Sequence, residues 1–279
     1  MRFSLIVATL GRRTELLKLL SSLKTQSFQD FEIIIIDQNE PGFLNDILDA
    51  AISELPIKHL QSSERNSSHA RNLGLHAATG ALISFPDDDC FYPETLLSAV
   101  HHQFLARPEM AMLSGPSVTP EGRLSSGRWS PLSRPQTPQT IWTSLIEFNF
   151  FVKTELLLNI GGFDEELGVG ARFGSSEAVD VAIRLMTTGA VAAYDFNLRV
   201  YHPEKARTPA AVERAYRYGT GMGRVIRKHL KAVGPLTAIN FASRPLAGLL
   251  WEALRLNMLQ SRYYWRTFLG RVSGFIAPT

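Results

Sequence analysis

The sequence predicts an α/β protein: a three-layer sandwich around a mostly parallel sheet, followed by a helical C-terminal extension. Three observations carry that reading. Apolar runs of strand length alternate with segments of helical period over the first hundred residues. One of them, FEIIIIDQN (31–39), is apolar almost throughout, as a strand covered on both faces must be. Charge then divides the chain. Residues 205–279 hold 13 Lys and Arg against only Glu213 and Glu252, while the remainder holds 16 basic and 24 acidic residues.

The elements follow in order. FSLIVAT (3–9) is rich in β-branched and apolar residues and reads as the first strand. RTELLKLLSSLKTQ (13–26) places Leu16, Leu19, Leu20 and Leu23 on one helical face. After the second strand, GFLNDILDAAISEL (42–55) reads as a helix and IKHLQS (57–62) as a third strand. SSHARNLGLHAATG (67–80) is a short helix stopped by Gly80, and ALISF (81–85) is the fourth strand. YPETLLSAV (92–100) begins the next helix. Five prolines between Pro116 and Pro138 mark a loop or strand pair with little regular structure. Order returns with TSLIEFNFFVKTELLLNIGGFDEEL (143–167). The glycine-bearing loop LGVGARFGSS (167–176) precedes a helix, EAVDVAIRLMTTG (177–189), and AVAAYDFNLRVYHPEK (190–205) reads as one strand leading to His202. Two units are expected: 1–204, with halves at 1–107 and 108–204, and a basic amphipathic helical extension at 205–279.

Composition narrows the class. With 279 residues and 45% apolar content, the chain can bury a sizeable core. Its single cysteine, Cys90, excludes an internal disulfide and fits a reducing, cytoplasmic setting. No apolar stretch approaches the roughly 18 residues of a spanning helix. Gly-x-Gly-x-x-Gly and Gly-Lys-Ser/Thr are both missing after the first strand, which argues against dinucleotide and P-loop chemistry.

Polar residues stand where three apolar strands stop. They are Thr9, Asp37 and the triplet Asp87, Asp88 and Asp89. Ligands of open α/β sheets bind at such carboxyl ends. Three adjacent carboxylates repel one another, and a hard divalent cation, Mg²⁺ or Mn²⁺, is the partner that oxygen ligands so arranged suit. Such an ion could bridge two phosphates of a substrate.

These motifs resemble those of family 2 glycosyltransferases with the GT-A nucleotide-sugar fold. SLIVATLGRRTELLKLLSSLKTQSFQDFEIIIIDQ (4–38) resembles the opening unit, and ARNLGLHAATGALISFPDDD (70–89) resembles the Arg-Asn-x-Gly helix and Asp-x-Asp segment. GGFDEEL, GSSEAVDVAIRL and VYHPE resemble the acceptor-side elements in the same order. The resemblance implies a metal-dependent enzyme that moves a sugar, with inversion, from a nucleoside diphosphate sugar to a glycan or lipid-linked glycan hydroxyl. A UDP-sugar is the favoured donor. Thr9 and Asp37 would hold nucleobase and ribose, Arg71 the nucleotide, and Asp88 the ribose or sugar. Asp87 and Asp89 form the Asp-x-Asp, with Asp89 on the metal and His202 completing its shell.

The catalytic base is expected at Glu177 or Asp180. Many members pair Glu with Asp at the start of this helix, but here the second position is Ala178. Asp180 has Arg184 one helical turn on, an ion-pair spacing that would occupy it, so Glu177 is favoured. The extension interleaves arginines with Tyr263, Tyr264 and Trp265, and suits either an anionic membrane surface or packing on the core or a second copy. Peripheral attachment to the inner face of a membrane and a homo-oligomer are the expectations there; nucleic acid is not expected, because no binding motif accompanies the charge. Two rival functions remain: a sugar nucleotidyltransferase, and a catalytically degenerate assembly protein.

Overall fold

The computed structural model describes residues 1–204 and 208–278. Residues 205–207 and 279, which include the expected start of the extension, lie outside the described residues. The first half follows the predicted alternation: β1 (Phe3–Thr9), α1 (Thr14–Lys24), β2 (Phe31–Asp37), α2 (Asn45–Ile52), β3 (Ile57–Gln61), α3 (Ser67–Ala77), β4 (Leu82–Ser84) and α4 (Leu96–Ala106). Then come β5 (Met110–Ser114), β6 (Ser117–Val118), β7 (Leu124–Ser125), β8 (Arg134–Pro135), β9 (Phe150–Lys153), α5 (Thr154–Asn159), α6 (Glu177–Thr187), β10 (Val191–Tyr194) and β11 (Val200–Tyr201). The C-terminal region is helical: α7 (Pro209–Lys228), α8 (Leu230–Val233), α9 (Pro235–Leu254) and α10 (Met258–Ile276).

Eight strands form the central sheet in the order β3-β2-β1-β4-β9-β5-β10-β8. The β3-β2-β1-β4 half is parallel throughout. β9 enters antiparallel between β4 and β5, a direction that its apolar sequence FFVK does not encode. A second, three-stranded sheet has the order β11-β6-β7. The proline-rich stretch therefore holds short strands at Ser117–Val118, Leu124–Ser125 and Arg134–Pro135.

Three local expectations change. The single strand expected over 190–205 is two strands in different sheets. Asp195 divides them, because its side chain accepts the Asn197 N–H at 2.9 Å and its backbone N–H goes back to Ser114 at 2.9 Å. α3 stops at Ala77 rather than Gly80, since Ala78 is already extended at ψ 141°. β4 is only three residues long, and Pro86 follows soon after.

Side-chain alternation in the strands builds a core on each face. Leu5, Val7, Ile33 and Ile35 meet the Leu16, Leu19 and Leu23 face of α1, while Ile6, Ile34 and Ile36 meet the opposite layer with Ala70, Leu75 and Val181. Each such fully buried side chain stabilises the fold by roughly 1.5–3 kcal/mol. The second core continues into the C-terminal helices through Val225, Ile226, Val233, Ala238 and Phe241, with the Phe241 ring 4.9 Å from Trp142. No described helix is long and apolar enough to cross a membrane.

α7 and α10 approach until their backbones touch. A Cβ at Gly223 would collide with the Arg271 carbonyl, and one at Gly274 with the Thr220 carbonyl. Overpacking a contact of this kind costs about 2–3 kcal/mol. Gly274→Leu should therefore lower the Tm by roughly 5–10 °C. An unchanged melting curve would contradict the close crossing.

Candidate active site

The parallel register sets Thr9 beside Asp37 at the carboxyl ends of β1 and β2. β4 stops at the same edge, and the aspartates follow in a tight turn closed by the Cys90 N–H on the Asp87 carbonyl at 3.1 Å. Phe91 and Tyr201 then exchange both backbone hydrogen bonds, at 3.0 and 3.1 Å, and their rings stack at 4.6 Å. That bridge brings two distant segments together. His202, one residue beyond it, places Nε2 at 3.0 Å from Asp89 Oδ1 and stacks on Phe148 at 4.7 Å.

Counter-charge for the triplet comes from far along the chain, and sequence proximity gave no sign of it. Arg12, in the loop after β1, sets Nη1 at 2.6 Å from Asp88 and 2.7 Å from Asp89. Burial disfavours its charge, yet Asp88 and Asp89 hold its pKa above the ordinary arginine value. Asp88 also accepts the Thr9 hydroxyl at 2.8 Å, and burial still pushes its own pKa up. Metal is thus not the sole means of making three adjacent carboxylates tolerable.

A second guanidinium serves the other side. Arg71, on α3, is buried, with Nη1 at 2.6 Å from Glu177 and Nη2 at 3.4 Å from Asp87. Its guanidinium therefore faces protein carboxylates. Asn72 beside it is bound on both faces of its amide: it donates to the Phe163 carbonyl at 3.0 Å and accepts the Phe163 N–H at 2.8 Å, which ties α3 to GGFDEEL. Gly168 has φ +106°, and a Cβ there would lie 3.2 Å from the Glu177 carboxyl carbon, so its backbone packs directly on that side chain. This glycine is used for close approach. Glu177 opens α6 and is 2% exposed; its Oε1 takes Arg71, while Oε2 is buried with no hydrogen-bond partner among the described residues.

Glu147, like Arg12, could not be read from the sequence. It lies in a 3-10 turn (Glu147–Asn149) ahead of β9, half-buried. Burial first, then the charges of Glu177 and Asp87, outweigh Arg71 and raise its pKa to about 7. No periodicity marks a lone acid inside an irregular segment.

Asp37 is fully buried and already engaged. Oδ1 accepts the Asn39 backbone N–H at 2.9 Å and its side-chain amide at 2.7 Å, and Oδ2 lies 3.2 Å from His59 Nε2. Asn39 in turn accepts the Gly11 N–H at 2.6 Å, so the loops after β1 and β2 are joined. Asp180 is not brought into the cluster. Arg184 Nε at 2.7 Å, Lys228 Nζ at 2.9 Å and His229 Nε2 at 2.7 Å take its oxygens. Burial alone would raise its pKa, but His229, Arg184 and Lys228 pull it well below the carboxylate range. The Asp180–Arg184 pair expected from spacing forms. Ala178 packs in the apolar cluster with Val181.

Asp87, Asp89 and His202 each bring one ligand atom within 4.8 Å of the others. Carboxylate oxygens with one imidazole suit a divalent first-row or Mg²⁺-like ion. Surrounding charge agrees, because Asp87, Asp88, Asp89, Glu147 and Glu177 gather in one cluster, which Arg12 and Arg71 enter. The residues fit a cation.

A model described as glycosyl transferase family 2 matches residues 4–158, more than half of the chain. The chain belongs to that family. An uncharacterised glycosyltransferase of Haemophilus influenzae is 25% identical over 204 residues, covering 70% of this chain and 65% of that protein. A Bacillus subtilis uncharacterised glycosyltransferase, YwdF, is 37% identical over 94 residues, 33% of this chain and 34% of its own. The chain thus matches less than two thirds of these relatives' lengths. Among solved structures, the mannosyltransferase PcManGT of Pyrobaculum calidifontis, in complex with GDP-Man and Mn²⁺, superposes with TM-score 0.68 at 17% identity, covering 99% of this chain and 87% of that one. TarS of Staphylococcus aureus, in complex with UDP-GlcNAc, does so with TM-score 0.60 at 17% identity, covering 98% and 91%. The family 2 chain accordingly has the GT-A fold.

Glu147 makes stability depend on pH. Its carboxyl goes from 4.5 unfolded to about 7 folded, so folding favours the neutral form. That contribution is complete below pH 4.5 and is lost as the pH rises through 7. Glu147→Gln should leave the stability of the metal-free protein unchanged in acid and raise it at alkaline pH by up to about 3 kcal/mol. Denaturant titrations of both proteins across this range test the point, and parallel curves would refute it.

Proposed function

We propose that the protein transfers a sugar from a nucleoside diphosphate sugar to an acceptor hydroxyl, with inversion at the anomeric carbon and with a divalent metal. The observation that carries this reading is the Oε2 of Glu177, buried without a hydrogen-bond partner among the described residues and held in place by Arg71, which also reaches Asp87. An acceptor-only oxygen in such a place needs a donor, and an acceptor hydroxyl supplies one. Relatives support the substrate class: TarS was solved with UDP-GlcNAc and PcManGT with GDP-Man and Mn²⁺.

Residues 1–107 would form the donor half, 108–204 the acceptor half and 205–279 the helical extension. Thr9 and Asp37 stand at adjacent strand ends for nucleobase and ribose, and Asp88, held by Thr9 and Arg12, stands between them and the sugar. Asp87, Asp89 and His202 are the residues that would hold Mg²⁺ or Mn²⁺. When bound, such an ion supplies positive charge against that developing on the departing diphosphate.

Glu177 Oε2 takes the acceptor proton as the hydroxyl oxygen attacks the anomeric carbon. The new glycosidic C–O bond forms on one face while the bond to the diphosphate oxygen breaks on the other. Its electron pair leaves with the nucleoside diphosphate. Arg71 holds Glu177 in orientation, and Asp180, occupied by three cationic side chains, holds α6 rather than a proton in transit. We favour a UDP-sugar donor and a glycan or lipid-linked glycan acceptor.

A nucleoside diphosphate panel with and without Mn²⁺, read by thermal shift, should show metal-dependent stabilisation of about 2.7 kcal/mol at a hundredfold excess over Kd. Asp89→Asn should abolish the metal-dependent part. Glu177→Gln should keep nucleotide binding but lower turnover by roughly 10²–10⁴-fold. Unchanged turnover in both variants would overturn the site, and failure of every diphosphate to bind would overturn the function.

A further inference from the structure

α9 and α10 form an antiparallel hairpin, and its turn is exposed on all sides: residues 253–258 are all solvent-facing. Ala253, Leu254, Leu256 and Met258 there are apolar, with Arg255 and Asn257 between them. Leu254 is 83% exposed, Leu256 84% and Met258 68%, with Trp251 exposed beside them. Large apolar side chains exposed together at one turn mark an interaction surface.

Two independent features sharpen that reading. Leu256 has φ +56°, in the left-handed region where glycine or asparagine is usual at a helix end. The chain keeps a leucine at this strained position while leaving its side chain in water, and strain of this kind concentrates at functional sites. Charge is the second feature. Arg255 and Arg262 are exposed at the tip, with the Arg255 guanidinium 5.8 Å over the Trp251 ring. Glu213, one of two acids in the extension, is taken up by Arg266 at 2.6 Å.

We propose that this hairpin tip anchors the protein to an anionic lipid surface. Trp251, Leu254, Leu256 and Met258 enter the boundary between headgroups and acyl chains, and Arg255 and Arg262 lie against lipid phosphates. The tip sits at the interface, since no described helix is long and apolar enough to cross a membrane. Charge favours lipid over a second copy. The tip carries Arg255 and Arg262 against one half-buried acid, Glu252, so two copies would meet with like net charge while an anionic surface meets it with opposite charge. The anchor is separate from the transferase reading and stands without it.

Flotation of the full chain with vesicles tests this. It should float with phosphatidylcholine mixed with phosphatidylglycerol and stay down with pure phosphatidylcholine. Leu254→Asp/Leu256→Asp should abolish flotation, and Arg255→Glu or Arg262→Glu should each weaken it by roughly fivefold or more. Tryptophan emission should shift to the blue on binding, and the shift should shrink in Trp251→Ala. Because the altered side chains are exposed, each variant should melt no lower than the parent and keep its response to nucleoside diphosphates. That response reports the transferase site alone. No flotation with anionic vesicles, flotation unchanged in the double aspartate variant, or a solution dimer that Leu256→Asp dissociates would each overturn the proposal.

Discussion

Crowded carboxylates at the carboxyl end of β4 set the central constraint on this molecule. Asp87, Asp88 and Asp89 leave the sheet in a single turn, with Glu177 and Glu147 close enough to perturb the same groups. At the effective dielectric of a partly buried site, neighbouring like charges disfavour one another by several kcal/mol. Two arginines answer that repulsion. Arg12 spans Asp88 and Asp89 from one side, and Arg71 spans Asp87 and Glu177 from the other. Burial, and then the charges of Glu177 and Asp87, raise the Glu147 pKa, and carboxylates crowded in this way suit an added cation.

Much of the surrounding architecture serves to hold those arginines and acids in register. α3 carries Arg71, and Asn72 beside it fixes the loop after α5 through both hydrogen bonds to Phe163. Gly168 lets that loop lie directly on Glu177. The Phe91–Tyr201 bridge couples the small sheet to the aspartate turn, so that His202 reaches Asp89. Each contact is modest, at roughly 0.5–1.5 kcal/mol net for a neutral hydrogen bond, but removing one partner exposes a buried charge and costs more.

The strand ends were legible in the sequence because strand period and polar punctuation are local signals. Thr9, Asp37, the aspartates, Arg71, Glu177 and His202 could all be named from motif and position, and the ion pair of Asp180 with Arg184 from helical spacing. Arg12 and Glu147 could not. The first pairs with residues 76 and 77 positions away, and the second sits in a 3-10 turn with no period to read. For the same reason the antiparallel insertion of β9 was hidden: apolar residues announce a strand but not its direction. The division of 190–205 into two strands depended on one side-chain turn at Asp195.

The helical extension appeared in the sequence as a separate basic unit, yet its packing makes it part of the site's scaffold. α7 lies on the loop before α6: the Gly174 N–H reaches the Arg217 carbonyl at 3.2 Å, and the Ser175 hydroxyl donates to the Tyr218 carbonyl at 2.7 Å. At the far end of α7, Lys228 and His229 close on Asp180, one turn into α6. Glu177 stands between these two attachments. Ser176, just before it, adopts φ +71°, a conformation that a serine keeps only when its surroundings impose it. The charge division of the chain therefore has a structural use. Cations on α7 are paired with an acid of α6, and that pairing fixes the helix whose first residue presents the unpartnered carboxylate oxygen.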